Sequence, residues 1–280
     1  LPVVVESGHV PGMQPAPPVA LTIAGSDCSS GAGIQADLKT FEHFGVHGLT
    51  AVTCVVSETA NVVRAVHPVP PEIAGDQVSL LLEAFPVAAM KTGMLFSAAH
   101  IAAVLKGIEA SPSVPLVVDP VMIASTGDSL LEDDAVDAIR DHLLPRATLV
   151  TPNLPEAAAL LGGSIGSLDE LKAAAVQLNE RFGVPFLVKG GHLEGRECTD
   201  VLAEGGQIHE FTSPRIPLEG SHGTGCTFSA AITANLALGH SLGDAIAKAK
   251  SYLNDTLAKS YVFVSRDGGT VHALNQGTAF

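Results

Sequence analysis

The chain has 280 residues and sets 29 Asp+Glu against 15 Lys+Arg, a formal charge of −14. That balance opposes nucleic acid or an anionic membrane face as partner, because both are held through a surplus of Lys and Arg. With 46% hydrophobic and 16% charged residues the chain can bury a large core, which excludes overall disorder, and no apolar run approaches the ~18 residues a membrane helix needs.

Residues 1–18 are proline-rich without periodicity and are expected to be a flexible leader, leaving 19–280 as one domain. Val19–Ala24 is a short apolar run that breaks into a Gly/Ser loop. Ile34–Phe44 then has helical spacing, with Ile34, Leu38 and Phe41 on one face. Ala51–Val56 reads as a buried strand, Pro71–Ala84 as a helix with proline at its first position, Val87–Met90 as a strand, and Ala98–Glu109 as a helix capped by Ser97. Leu116–Val118 is a strand ending at Asp119, Asp133–Leu143 a helix, and Thr148–Val150 a strand ending in Thr151-Pro152-Asn153. Leu168–Phe182 is a helix opened by a Ser167/Glu170 capping box, and Phe186–Val188 a strand ending at Lys189-Gly190-Gly191. Val201–Glu204 and Ile208–Thr212 form a hairpin across Gly205-Gly206. Thr224–Leu238 and Leu242–Leu257 are apolar helices broken at Gly239. Short apolar strands alternating with amphipathic helices predict a mostly parallel sheet covered on both faces, with ligands bound beyond the carboxyl ends of the strands.

Those ends collect acids, a lysine and glycine turns, a mixture suited to a metal–phosphate ligand. Gly223-Thr224-Gly225-Cys226 opens an apolar helix, where backbone N–H groups and the helix dipole make an anion hole without a charged side chain. Cys226 falls in the first helical turn, where a thiol pKa tends to drop, so base, nucleophile and packed small hydrophobe are all open readings. The glycine loop from Gly25 to Gly33 is neither a Walker A motif nor GxGxxG, and Asp37 beyond it is either a ligand-facing acid or a solvated one. Asp119 and Glu156, at neighbouring strand ends, can hold Mg²⁺ through water, and they can equally serve dipole pairing and helix capping with Asn153. Lys189 is placed to touch phosphate oxygens, whereas Lys250 reads either that way or as a surface lysine. The four cysteines lie far apart, without CxxC or Cys/His ligand spacing, so zinc is not expected. Nothing reads as a signal peptide, and free thiols in a reducing cytoplasm are the expectation.

Six ordered blocks, from about Leu21 to about Leu257, resemble the hydroxymethylpyrimidine/phosphomethylpyrimidine kinases of thiamine synthesis, a branch of the ribokinase-like superfamily. They are Ala24-Gly25-Ser26-Asp27 with Gly31 to Lys39, Lys91-Thr92-Gly93-Met94-Leu95, Val118-Asp119-Pro120-Val121-Met122, Thr151 to Ala157, Lys189-Gly190-Gly191-His192, and His222 to Thr227. The resemblance implies a ribokinase-like three-layer α/β/α sandwich and Mg-ATP-dependent phosphorylation of a hydroxymethyl group or of the phosphate already on it. Carried across, Gly25, Ala32, Asp37, Met94 and Val121 would line the pyrimidine pocket. Asp119 and Glu156 would serve the metal, Asn153, Lys189, Thr224 and Lys250 the ATP. Gly223, Thr224 and Gly225 would form the anion hole, and Cys226 would be the base. A homodimer is also implied.

The chain departs from that pattern at several positions. Glu58 stands where Gln is usual, and an ionised carboxylate accepts hydrogen bonds but cannot donate. Glu58 is therefore expected to grip a ring-protonated aminopyrimidine. Ser125 replaces a common Lys, Ser30 a common Gly, and the tail Asp267-Gly268-Gly269-Thr270 lacks the familiar ending. Pyridoxal kinase is the alternative within the family. A thiol enzyme with Cys226 as nucleophile and His222 as base, or a non-catalytic ligand-binding relative, are the alternatives outside it.

Overall fold

The structure is a computed structural model and describes residues 15–122, 134–217, 222–264, 266 and 269–277. The departures at Ser125 and in the tail at 267 and 268, and most of the leader, lie outside the described residues. In chain order the elements are β1 (Val19–Asp27), α1 (Gly33–His43), β2 (His47–Thr59), β3 (Val62–Pro68), α2 (Pro71–Ala84), β4 (Val87–Thr92), α3 (Ala98–Ile108), β5 (Leu116–Val118), α4 (Ala135–Ala138), β6 (Leu149–Val150), α5 (Leu154–Leu161), α6 (Leu168–Phe182), β7 (Phe186–Val188), β8 (Glu197–Glu204), β9 (Gln207–Pro214), α7 (Thr224–Ala237), α8 (Leu242–Ala258), β10 (Tyr261–Val264) and β11 (Thr270–Ala273). The main sheet runs β3-β2-β1-β4-β5-β6-β7-β8-β9, parallel from β2 to β7 and antiparallel at β3, β8 and β9.

Strand residues alternate between two cores. Leu21 and Ile23 of β1 pack with Val78 of α2, Ile101 and Val104 of α3, Leu154 of α5 and Leu171 of α6. On the opposite face, Ala20 and Ala89 meet Phe41 of α1 and Ala230 of α7, and Val117, Leu149 and Leu187 meet Phe228 of α7 and Ala249 of α8. Helices on both faces give the expected three-layer α/β/α sandwich, and both faces of the central parallel strands β1 and β4 to β7 are dry, which is why they read as continuous apolar runs. Helix α7 is buried nearly all round, and its small residues let it lie between the sheet, α1 and α8.

The local signals work as physics requires. Ser97 accepts the N–H of His100, and Ser167 that of Glu170. Glu170 returns its carboxylate to Gly166 N–H rather than to Ser167, so the capping box expected there is offset by one residue. The helix expected to end at Leu143 is shorter as an α-helix: α4 passes into a π turn over Ile139–Leu143 and a 3₁₀ turn over Leu144–Arg146. Pro145 cannot supply the N–H that an α ladder needs.

Candidate active site

Two glycine loops, the carboxyl ends of β1, β2, β4, β5, β6 and β7, and the starts of α5 and α7 meet in a cavity of ≈ 740 Å³. Its first wall is the turn between β1 and α1. Asp27 closes β1 and accepts the backbone N–H groups of Ser29 (2.7 Å), Gly31 (3.0 Å) and Ala32 (2.8 Å), with His222 Nε2 at 3.1 Å. Burial alone would raise this carboxyl, but His222 and the loop amides hold it down at about 2. Ser30, where glycine is usual, has φ +63°, so the loop does use a left-handed residue at that position. Gly25 lies where the β1–β2 register shifts, and a Cβ there would press Cys54 Sγ at 2.8 Å.

One side of the cavity is lined by Gly25, Ala32, Glu58, Met94 and Val121. Asp37 is not among them. It is fully buried beneath the loops, where it accepts from Thr22 Oγ1 at 2.6 Å and from Lys91 Nζ at 2.9 Å through both oxygens. This corrects both readings of Asp37: the residue is neither ligand-facing nor solvated, because α1 turns that face toward the sheet and the lysine of β4.

The other side is built on Asp119, Asn153, Glu156 and Lys189. Asp119 Oδ1 receives Lys189 Nζ at 2.9 Å and Thr151 Oγ1 at 3.3 Å, while Oδ2 receives Ser229 Oγ at 3.1 Å. Burial disfavours the Asp119 charge, but Lys189 and Lys91 overcome it and keep the carboxyl below its usual range. Asn153 and Glu156 form a reciprocal capping box at the start of α5, at 2.9 and 2.8 Å. Burial lifts Glu156 to about 7, with Asp119 adding to the rise and Lys189 opposing it. Two buried carboxylates thus share one lysine, a donor set with surplus negative charge that fits a hard, hydrated divalent cation.

Lys250 also lines the cavity, but it is buried rather than on the surface. Its ammonium donates to Asp200 at 2.6 Å and to the Cys198 carbonyl at 3.1 Å. Asp200 in turn accepts the Gly190 N–H at 2.9 Å, so the pair holds the turn that carries Lys189. Neither Asp200 nor Ser229 nor Gln276 carries a sequence signal. Gln276 donates from Nε2 to Gly31 O at 3.2 Å and Thr227 Oγ1 at 2.8 Å, tying the two glycine loops together.

The second glycine loop opens α7 at the cavity. Gly223 sits at φ +84° as the N-cap of α7, and a Cβ on it would strike the Gly31 carbonyl, which only glycine avoids. The backbone of Thr224, Gly225 and Cys226 then opens α7 with N–H groups that have no acceptor within the helix. A Cβ at Gly225 would lie 3.2 Å from Lys189 Nζ and 3.7 Å from Asp119 Oδ2, so this helix start faces Lys189 and Asp119 directly. The Cys226 thiol departs from the expected low pKa. Burial pushes it up to about 11, with Asp37 and Asp119 adding to the rise and Lys91 and the Gly33 N–H opposing them. Position at a helix start is legible in sequence, whereas the dryness of the site is not.

Residues 27–271 match the family model described as phosphomethylpyrimidine kinase. The hydroxymethylpyrimidine/phosphomethylpyrimidine kinase of Bacillus subtilis is 41% identical over 90% of this chain and 94% of its own. The thiamine biosynthesis bifunctional protein ThiED of Geobacter sulfurreducens is 43% identical over 91% of this chain, which spans only 52% of that protein. Among solved structures, an ADP complex of Bacillus subtilis pyridoxal kinase superposes with a TM-score of 0.82 at 34% identity, covering 93% of this chain and 98% of the other. A ribokinase-like sandwich whose glycine loops and strand-end charges converge on one cavity is thus joined to an extended sequence match, and the chain belongs to the phosphomethylpyrimidine kinase family.

Proposed function

We propose that this kinase transfers the γ-phosphoryl of ATP to the hydroxymethyl oxygen of hydroxymethylpyrimidine and then to the phosphate of the monophosphate. The observation that carries the reading is the continuity of the cavity. The pocket of Gly25, Ala32, Glu58, Met94 and Val121 opens onto the α7 helix start, with Asp119, Glu156 and Lys189 beside it. Phosphoryl transfer asks a protein mainly for in-line positioning and charge stabilisation, and this layout supplies both.

In the first transfer the alcohol oxygen approaches the γ-phosphorus held at the amides of Gly223, Thr224, Gly225 and Cys226. Its proton passes to the Cys226 sulfur as the new P–O bond forms and the bond to ADP breaks. A thiol near 11 keeps its own proton in the resting protein, so the thiolate must form, its proton passing to solvent, as the complex assembles, helped by Lys91 and the helix dipole. Lys189, Thr224 and Asn153 position the nucleotide phosphates, and Lys250 acts through Asp200 on the Lys189 turn. Asp119 and Glu156 would hold Mg²⁺ through water, and the ion when bound would neutralise charge on the transferring phosphates.

Cys226→Ala tests the assignment: turnover should fall by about 10²–10³-fold, with hydroxymethylpyrimidine still bound. Loss of binding with turnover per bound complex unchanged would overturn the role. Pyridoxal phosphorylation is the second reading, favoured by the superposition on pyridoxal kinases, including the Staphylococcus aureus enzyme in complex with pyridoxal at TM-score 0.83. Coupled assays with both alcohols separate the two, and a tenfold kcat/KM advantage for pyridoxal would reverse the assignment. Among the described residues no helix is long and apolar enough to cross a membrane. A cytoplasmic homodimer is the state we propose, and sedimentation of the full chain tests the dimer.

A further inference from the structure

Glu58 lines the alcohol side of the cavity, and among the described residues its side chain meets no hydrogen-bond donor. Its main chain, by contrast, is fixed. Cys28 Sγ receives the Glu58 N–H at 3.3 Å and lies 3.2 Å from the Glu58 carbonyl. The β2–β3 ladder also shifts register between Ser57 and Glu58, an irregularity of the kind that re-aims a side chain. A fixed backbone carrying a half-buried carboxylate that no protein donor among the described residues engages marks a group open to a ligand.

The neighbours define which ligand. Asp27, Glu58 and His222 each place a polar atom within 4.8 Å of the others. Cys28 from the first loop and Cys54 from β2 also face Glu58, and β3 contributes the uncharged Val63. The Lys39 ammonium on α1 is engaged by the Ser30 carbonyl at 2.7 Å. Met94, Val56 and Val121 complete an apolar wall. Burial raises the Glu58 pKa, with Asp27 adding to the rise and His222 opposing it, while Asp27 remains ionised. The pocket is therefore an apolar slot with two acids at one rim.

We propose that Glu58 determines specificity by binding the aminopyrimidine as one proton-completed pair, its two oxygens meeting the exocyclic amino group and the adjacent protonated ring nitrogen. This rests on the pyrimidine reading above. A neutral aminopyrimidine offers one donor and one acceptor along that edge, and a carboxylate can only accept. One proton, drawn from solvent, turns the mismatch into two parallel charge-assisted hydrogen bonds. It makes no thermodynamic difference whether that proton is assigned to the ring or to the acid. Asp27 favours the resulting positive ring, and the same two acids disfavour the ionised phenol of a pyridoxal-type alcohol.

The test is calorimetric titration of the full chain with hydroxymethylpyrimidine in buffers of different ionisation enthalpy. Near pH 8 the unaltered protein should take up about one proton on binding, and its Kd should weaken about tenfold per pH unit from there upward. Glu58→Gln, whose amide both donates and accepts, should bind with no uptake and a flat Kd, crossing the parent curve at alkaline pH. It should also narrow the preference for the pyrimidine over pyridoxal, with the KM for ATP and the melting temperature unmoved. Binding without proton uptake in the parent overturns the inference alone. So does equal uptake in Glu58→Gln, since the proton would then sit on His222 or another group. Absence of pyrimidine turnover, with pyridoxal phosphorylated normally, overturns the functional reading and this inference with it.

Discussion

Lys91 and Asp37 are both shielded from water, and each oxygen of Asp37 receives the same ammonium at 2.9 Å. Removing two charges from water costs several kcal/mol per ion, so the pair contributes little net stability, yet neither partner tolerates loss of the other. Lys91→Met should therefore destabilise the protein by about 3–5 kcal/mol in urea unfolding, and Lys91→Met with Asp37→Leu should recover most of it. A double variant no more stable than the single would show that the pair does more than neutralise itself. Asp27 is the opposite case, a buried carboxylate satisfied by four donors and held at about 2, well below the usual carboxylate range. Because the folded pKa is the lower one, its stabilisation is fully present above pH ~4 and is lost as pH falls from about 4 to about 2. Acid unfolding of Asp27→Asn should accordingly lack about 2 kcal/mol of pH-dependent stability over that window. If both proteins lose stability in parallel there, the loop amides do not depend on the charge. Neither residue's state was legible in sequence: Asp37 depends on a lysine 54 positions away, and Asp27 on a histidine 195 positions away.

Helices α5 and α6 begin with the same device, a short polar side chain accepting an N–H in the first turn, but in different places. Ser167 opens α6 on the outside, whereas Asn153 opens α5 at the cavity. Each substitution by Ala should cost about 1 kcal/mol of stability. Only Asn153→Ala should also raise the KM for ATP, by about tenfold, since a hydrogen bond to a charged group is worth about 1.5–3 kcal/mol. Equal kinetic effects from both, or none from Asn153→Ala, would remove Asn153 from the nucleotide site. Such helix starts were legible because capping is local, as were strands such as β5 and β7, whose residues are apolar on both faces. Edge structure was not. In β3, Arg64 and His67 interrupt the apolar pattern, because an edge strand faces solvent along much of its length. Tyr261 to Val264 of β10 are apolar yet exposed, and among the described residues this strand pairs only with β11. Lys250 on α8 read either as a phosphate contact or as a surface lysine because Asp200, which buries it, comes from β8.

The whole molecule carries −14, yet it takes a polyanion as co-substrate. Bulk charge and local charge must therefore act in opposite directions on ATP. The cavity's own positive sources are few and mostly committed: Lys189 lies on Asp119 at 2.9 Å and Lys250 on Asp200 at 2.6 Å. Arg215 spends its guanidinium on the backbone carbonyls of Gly191, Leu193, Gly195 and Glu197. On the proposed reading, what attracts phosphate is largely uncharged, the amides at the start of α7, aided by the cation that Asp119 and Glu156 would hold. Amide dipoles act over contact distance in a low-dielectric site and are little affected by salt, whereas repulsion from surface acids is screened beyond about 8–10 Å at physiological ionic strength. Raising NaCl from 20 to 200 mM at fixed free Mg²⁺ should therefore leave the KM for ATP unchanged or lower it by up to about twofold, the reverse of a site built on Lys and Arg. Initial-rate measurements across that range decide the point. A KM that climbs steeply with salt would mean that long-range positive potential, and not the backbone of Gly223 to Cys226, brings the nucleotide in.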